Sequence, residues 1–213
     1  MRRRQLKPLA FVDTETTGLD PKHAEVIEVA IIRVETDGRE SRWAARIKPV
    51  NMGWAHPKAL AVNGYAENPE LWDDAPTMAE VGPKILAHLD GCILVGQNVS
   101  FDEAMLKENL KRAGVEGKVT RRRVDTMTLS HEHLVPLGLK RLGLDSVRDF
   151  LGWSKEGTHR AMQDTEDMMR LYYLLEGMGH RRRLKLRFHL MALQAQKTRH
   201  SLRRKLWRRP SVR

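Results

Sequence analysis

Acidic residues are missing from the last 34 positions of this 213-residue chain, and that absence organises the rest of its charge. Residues 180–213 carry 13 Lys and Arg and no Asp or Glu, whereas residues 1–179 carry 25 basic and 27 acidic residues. The whole formal net charge of +11 therefore comes from the C-terminal segment. Such a segment either attracts polyanions through counterion release or is a solvated tail without a partner. Cysteine is almost absent: Cys92 alone excludes an internal disulfide and a thiolate zinc cluster. Long apolar runs are missing too, since no stretch nears the ~20 residues that a membrane-spanning helix needs. After the basic start Met1-Arg2-Arg3-Arg4, the apolar residues 8–12 run straight into Asp13, too short for a secretion signal. A cytoplasmic protein with no membrane partner is expected. A hydrophobic content of 41% with 31% charged residues excludes a wholly disordered chain.

What is present reads as alternating strands and helices. Residues 9–13 form a short apolar run ending in a carboxylate, and residues 16–21, TTGLDP, break it with turn chemistry. Residues 26–34 are rich in Val and Ile, and residues 43–50 partly alternate, so two more strands are expected in a short antiparallel meander. A short helix over 57–62 and a loop over 69–76 follow. Thr77 with Glu80 makes a capping-box start for a helix reaching residue 89. A buried strand at 93–95, a helix over 100–113 stopped by Gly114, and a last strand over 124–129 come next. Short helical pieces over 139–151 and a helix over 161–176 complete the order. The fold class is α/β: a mixed five-stranded sheet flanked by helices, over residues 1–179. Residues 180–213 form a basic tail, helical in part.

Three segments gather acids where chemistry could use them. Asp13 and Glu15 are two apart on a strand, so they project to one face at its C-terminal end. Paired carboxylates repel unless a cation lies between them, and hard oxygen ligands suit Mg²⁺ or Mn²⁺. Incidental acids at an exposed strand end are the plainer explanation. Asp102 falls in the first turn of a helix, which the helix dipole favours by itself, but Asn98 and Phe101 share that turn. His159 follows the Gly157-Thr158 loop, with Asp164 one turn into the closing helix. A loop histidine is commonly just a surface residue; beside a carboxylate cluster it can take a proton from water near neutral pH.

Together the three segments resemble the signature of the DEDDh (DnaQ-like) exonuclease family. Residues 11–19, FVDTETTGL, resemble its first motif and residues 96–102, GQNVSFD, its second. The run HRAMQD, from His159 to Asp164, resembles the third with its five-residue spacing. The resemblance covers about residues 7–177 and implies a ribonuclease-H-like fold. It implies 3′→5′ exonuclease activity with two divalent ions, Mg²⁺ or Mn²⁺, held by Asp13, Glu15, Asp102 and Asp164. His159 would be the general base. Thr16, Thr17, Gly18 and Leu19 would meet the terminal nucleotide, with Leu19 wedged against the bases unless it simply packs. Phe101 would line the nucleotide pocket or belong to the core, and Asn98 would fix the loop or the sugar.

Two positions depart from the family pattern. Gln97 stands where many relatives have histidine. Lys58 and Asn63 stand where polymerase-associated members often carry the glutamate and histidine that contact the terminal nucleotide. Gln97 and Asn63 are thus candidate substrate contacts of altered chemistry, and a role as a proofreading subunit is weakened. The expected activity is release of nucleoside monophosphates from single-stranded or frayed 3′ DNA ends. RNA trimming and proofreading on a DNA polymerase are the alternatives, and nothing in the motifs reads a 2′-hydroxyl. A catalytically dead nucleic-acid-binding module is disfavoured because all five residues are present. In the tail, residues 181–183, 203–205 and 208–209 are candidate phosphate contacts, and Trp207 could stack on a base.

Overall fold

The computed structural model describes residues 6–154 and 160–207. Five strands, β1 Leu9–Thr16, β2 Val26–Val34, β3 Glu40–Arg46, β4 Ile93–Gly96 and β5 Arg123–Asp125, lie in the order β3-β2-β1-β4-β5. The β1–β2 and β2–β3 pairs are antiparallel, and the β1–β4 and β4–β5 pairs are parallel. The helices are α1 Pro57–Val62, α2 Met78–Leu89, α3 Val99–Arg112, α4 Thr126–His133, α5 Leu144–Leu151, α6 Ala161–Leu175 and α7 His180–Trp207. This is the mixed sheet with helices on both faces that the sequence predicts.

Strand alternation sorts β1 between two cores. Ala10 and Val12 pack with Val81, Ile85 and Leu89 of α2 and Met105, Leu106 and Leu110 of α3. Leu9 and Phe11 face the other way, onto Met168 and Tyr172 of α6. A third cluster lies behind α6, where Leu134, Leu139, Val147, Leu151, Leu171 and Leu175 meet Leu190 of α7. Leu186 and Leu193 pack against the same cluster, so the basic segment is tied to the fold through its first half. Leu184, Phe188 and Met191 of that helix are exposed. Among the described residues no helix is long and apolar enough to cross a membrane.

Several boundaries differ from expectation. The stretch 124–129 is not one strand: β5 ends at Asp125, whose carboxylate accepts the Met127 N–H at 2.8 Å and starts α4. The third strand begins at Glu40 and ends at Arg46, after which the Lys48 N–H turns to the Pro76 carbonyl. The loop over 69–76 contains a 3-10 turn, Pro69–Trp72, whose Trp72 is buried and donates its indole N–H to the Ile27 carbonyl at 2.7 Å. The short pieces expected over 139–151 are one α-helix, α5, preceded by a 3-10 turn at Val135–Leu137. The capping box of α2 is as predicted, with the Thr77 N–H on the Glu80 carboxylate at 2.6 Å.

Candidate active site

Strand lengths create the site. β4 pairs with β1 only from Leu9↔Ile93 to Phe11↔Val95 and ends at Gly96, so β1 outruns its parallel neighbour. Asp13 and Glu15 lie on that overhang, at the C-terminal edge of the parallel strands, where open α/β sheets bind ligands. The β4–α3 turn is tight: a Cβ at Gly96 would come within 2.9 Å of the Val99 backbone. Asn98 then takes a left-handed conformation, φ 63°, which asparagine tolerates, and donates its N–H to the Asp125 carboxylate at 3.1 Å. That turn starts α3 one turn ahead of the buried Asp102.

One oxygen from each of Asp13, Glu15 and Asp164 falls within 4.8 Å of the others. Asp102 is not in this group. It lies on the α3 side of β1, where the Thr14 hydroxyl donates to its Oδ1 at 2.8 Å. The carboxylates therefore bracket the strand end from both faces. Burial, reinforced by Asp102, Glu15 and Asp164, pushes the Asp13 carboxyl well above the usual range. Glu15 is pushed up to about 8 by burial and then by Asp164, Glu28 and Asp102. Asp102 is pushed up to about 7 by burial, with the Thr14 hydrogen bond acting against the rise. This all-oxygen, mutually repelling donor set can hold a divalent metal, whose charge would relieve the repulsion.

Glu28 and Arg148 belong to the site and were not expected from the motifs. Glu28 is directly opposite Glu15 in the β1–β2 register and is buried. Burial raises its pKa against the pull of Arg160, Arg46 and a hydrogen bond from the Ala161 N–H. That bond joins β2 to the start of α6. Arg148 is fully buried, and its guanidinium donates from Nη2 to Asp164 at 2.7 Å, from Nε to Asp167 at 2.8 Å and from Nη1 to Asp145 at 3.0 Å. Burial works against its charge, but these carboxylates outweigh it and raise its pKa. The sequence did hold a signal: Arg148 lies in the apolar stripe Leu144, Val147, Leu151 of α5, where a charge needs a buried partner.

The remaining candidates separate by environment. Leu19 is exposed at 82%, projecting from the turn after β1. Thr16 and Thr17 are buried; Thr16 donates to the Gly18 carbonyl at 2.7 Å, and the Thr17 hydroxyl accepts the Glu25 N–H at 2.9 Å. The Gly18 backbone lies beside Trp54 and His56. Asn63 is buried and braces the same turn, its side-chain amide donating to the Thr16 carbonyl at 3.0 Å. Gln97 accepts from the Thr126 hydroxyl and donates to the Leu142 carbonyl, tying the end of β4 to α4 and the approach to α5. The Asn98 side chain accepts from Ser100 Oγ at 3.3 Å, and Phe101 is half-buried against the first core. His159 lies outside the described residues.

The profile of the family described as "Exonuclease" matches residues 10–172. The chain is 30% identical over 154 residues to "DNA polymerase III PolC-type" of Thermotoga maritima, covering 72% of this chain and 11% of that one. It is 33% identical over 186 residues to the "DNA polymerase III subunit epsilon-like protein" of Rhodobacter capsulatus, covering 82% of this chain and 25% of that one. It thus spans only about a tenth of the PolC-type relatives. Against "DNA polymerase III subunit epsilon" of Aquifex aeolicus it is 29% identical, with 72% of each covered. Among solved structures, E. coli exonuclease I in complex with a dT13 oligonucleotide shares the fold at a TM-score of 0.67 and 18% identity, over 80% of this chain and 41% of that one. With the sheet order, the strand-end carboxylates and the profile match in agreement, the chain belongs to the DEDDh (DnaQ-like) exonuclease family.

Proposed function

We propose that this chain is a metal-dependent 3′→5′ exonuclease that releases nucleoside monophosphates from single-stranded or frayed 3′ DNA ends. The observation that carries the reading is the convergence of Asp13, Glu15 and Asp164 on the overhang of β1, with Asp102 held beside them by Thr14. Asp13, Glu15, Asp102 and Asp164 would hold two Mg²⁺ or Mn²⁺ ions, which supply Lewis-acid stabilisation of a phosphoryl centre and of an attacking and a leaving oxygen. The strand fixes Asp13 and Glu15, and Thr14 orients Asp102. Glu28 steadies the start of α6 through the Ala161 N–H, two residues after His159. His159 takes the proton of the attacking water. Leu19, exposed on the turn, abuts the terminal bases.

Support for a DNA substrate comes from what the relatives and neighbours are named for: DNA polymerase III proteins, and an exonuclease I crystallised with an oligonucleotide. A zinc-bound form of the same exonuclease with single-stranded DNA supports metal at this fold. The polymerase names also favour a second reading, a proofreading component that docks on a polymerase in the cytoplasm. In both readings residues 1–179 are the nuclease domain and residues 180–213 a basic tail that binds the nucleic acid backbone or the partner.

The test is a panel of 5′-labelled single-stranded DNA, matched duplex, mismatched duplex and RNA, each with Mg²⁺ and with Mn²⁺. A ladder shortening from the 3′ end, fastest on single-stranded DNA and lost in Asp13→Ala and His159→Ala, is expected. Equal cleavage by Asp13→Ala would overturn the site, a preference for RNA would move the substrate class, and a preference for mismatched ends would favour the proofreading reading.

A further inference from the structure

Arg148 is a charged residue in the apolar stripe of α5. It is fully buried on the core face of α5, between Val147 and Leu151. Buried ion pairs are often no more stabilising than apolar residues of similar volume, because desolvation offsets the attraction. Stability alone does not account for a guanidinium here. Its neighbours do. Asp164 and Asp167 are one turn apart on α6, and the guanidinium bonds both, at 2.7 and 2.8 Å, while Asp145 accepts from the same group at 3.0 Å. The same Asp164 carboxylate brings an oxygen within 4.8 Å of those of Asp13 and Glu15.

We propose that Arg148 is a positioning residue for the metal site, holding the Asp164 carboxylate beside Asp13 and Glu15. This rests on the reading of Asp164 as a metal ligand. Where Asp13 and Glu15 are ionised and no cation is bound, they repel Asp164, and a carboxylate has two side-chain torsions through which to swing away. The rigid, planar guanidinium opposes that swing with a directed hydrogen bond, and its bond to Asp167 fixes the plane in turn. The ligand is thereby oriented before any ion arrives, so little reorganisation accompanies binding. Asp167 and Asp145 act at one remove, by orienting the arginine.

Mn²⁺ binding to the full chain, measured by titration calorimetry and by the spin-resonance signal of free Mn²⁺, tests this without recourse to activity. Arg148→Leu/Asp167→Leu removes the pair as a unit and leaves neither charge buried alone. It is expected to melt cooperatively near the wild-type temperature and to bind Mn²⁺ ~10- to 100-fold more weakly, the loss typical when a partner of a metal ligand is removed. Wild-type affinity in that folded variant would show the arginine to be structural only and overturn the proposal. Should the double variant fail to fold, Arg148→Lys decides. It keeps the charge without the fork, so a similar loss supports the proposal and full affinity overturns it. A wild-type protein that binds no Mn²⁺ sinks the reading of the cluster itself, an outcome distinct from both.

Discussion

Glu15 and Glu28 are directly opposed across the β1–β2 ladder, two carboxylates on the same face of adjacent strands. Like charges in that position destabilise a sheet. Glu28 is buried and Glu15 half-buried, so water relieves their repulsion only in part. Their proximity to Asp13 and Asp164 makes the strand end a place where the folded chain holds protons that the unfolded chain would release.

The consequence for pH has a definite sign. The pKa of Glu15 rises from 4.5 to about 8 and that of Asp102 from 3.8 to about 7 on folding. A raised carboxyl pKa contributes stability that is complete below the unfolded value and is lost as pH climbs through the folded one. Chelated protein should therefore lose melting temperature between about pH 5 and 8, and Glu15→Gln should lose less. Added Mg²⁺ should raise the melt more at pH 8 than at pH 5.5. Parallel profiles for wild type and Glu15→Gln would contradict this account.

Asp13→Asn removes one charge from the repelling group and keeps its shape. It should abolish nuclease activity while melting at or above the wild-type temperature in EDTA, as expected where function is held at a cost in stability. A large fall in melting temperature would mean that Asp13 is paired in a way the acidic cluster does not suggest.

Thr14→Val deletes the hydroxyl that orients Asp102 and keeps the side-chain volume. Turnover should fall by ~10- to 100-fold, as for other partners of metal ligands. Stability should change by only ~1 kcal/mol, the worth of one hydrogen bond. Comparing steady-state rates with the chemical melt separates the two effects.

Trp72 pins the segment before α2 onto β2. It is buried against Tyr65, lies under Arg46, and bonds the Ile27 carbonyl. Trp72→Ala should cost ~3–5 kcal/mol in urea unfolding, the usual range for a large buried aromatic. A cost below ~1 kcal/mol would show that the segment is held without it.

The basic segment calls for two truncations. Leu186, Leu190 and Leu193 pack on the third cluster, so removing residues 180–213 should destabilise the fold. Removing residues 197–213, which carry 8 Lys and Arg, should leave the melt unchanged and flatten the salt dependence of oligonucleotide binding. Each lost phosphate contact to a single strand lowers the slope by ~0.7. An unchanged slope would point to a protein partner.

Much of this was legible because it depends on local periodicity. The i, i+2 spacing of Asp13 and Glu15 forecast their shared face, Thr77 and Glu80 forecast the cap of α2, and the β1–β2 patterns forecast the buried centre of the sheet. What sequence spacing missed were relations across it. Glu28 gains its place only through the β1–β2 register, and Arg148 only through the packing of α5 on α6. The 124–129 stretch misled for a local reason: apolar residues suited a strand, but the Asp125 side chain caps the Met127 N–H and turns the chain into α4. The substrate-facing turn was half legible. The exposure of Leu19 suits a contact, whereas the hydrogen bonds of Thr17, Asn63 and Gln97 show side chains already engaged in holding the turn and the β4 end.

The bracketing of β1 by carboxylates from two layers has a mechanical side. Asp102 rides on α3 and Asp164 on α6, helices on opposite faces of the sheet that belong to separate apolar clusters. An ion held by both would be a cross-link joining two halves of the molecule that the chain itself connects only at a distance. Loading the site should therefore suppress the independent breathing of α6 and slow hydrogen exchange of its amides more than those of α2. Metal bound there would also be a fastener.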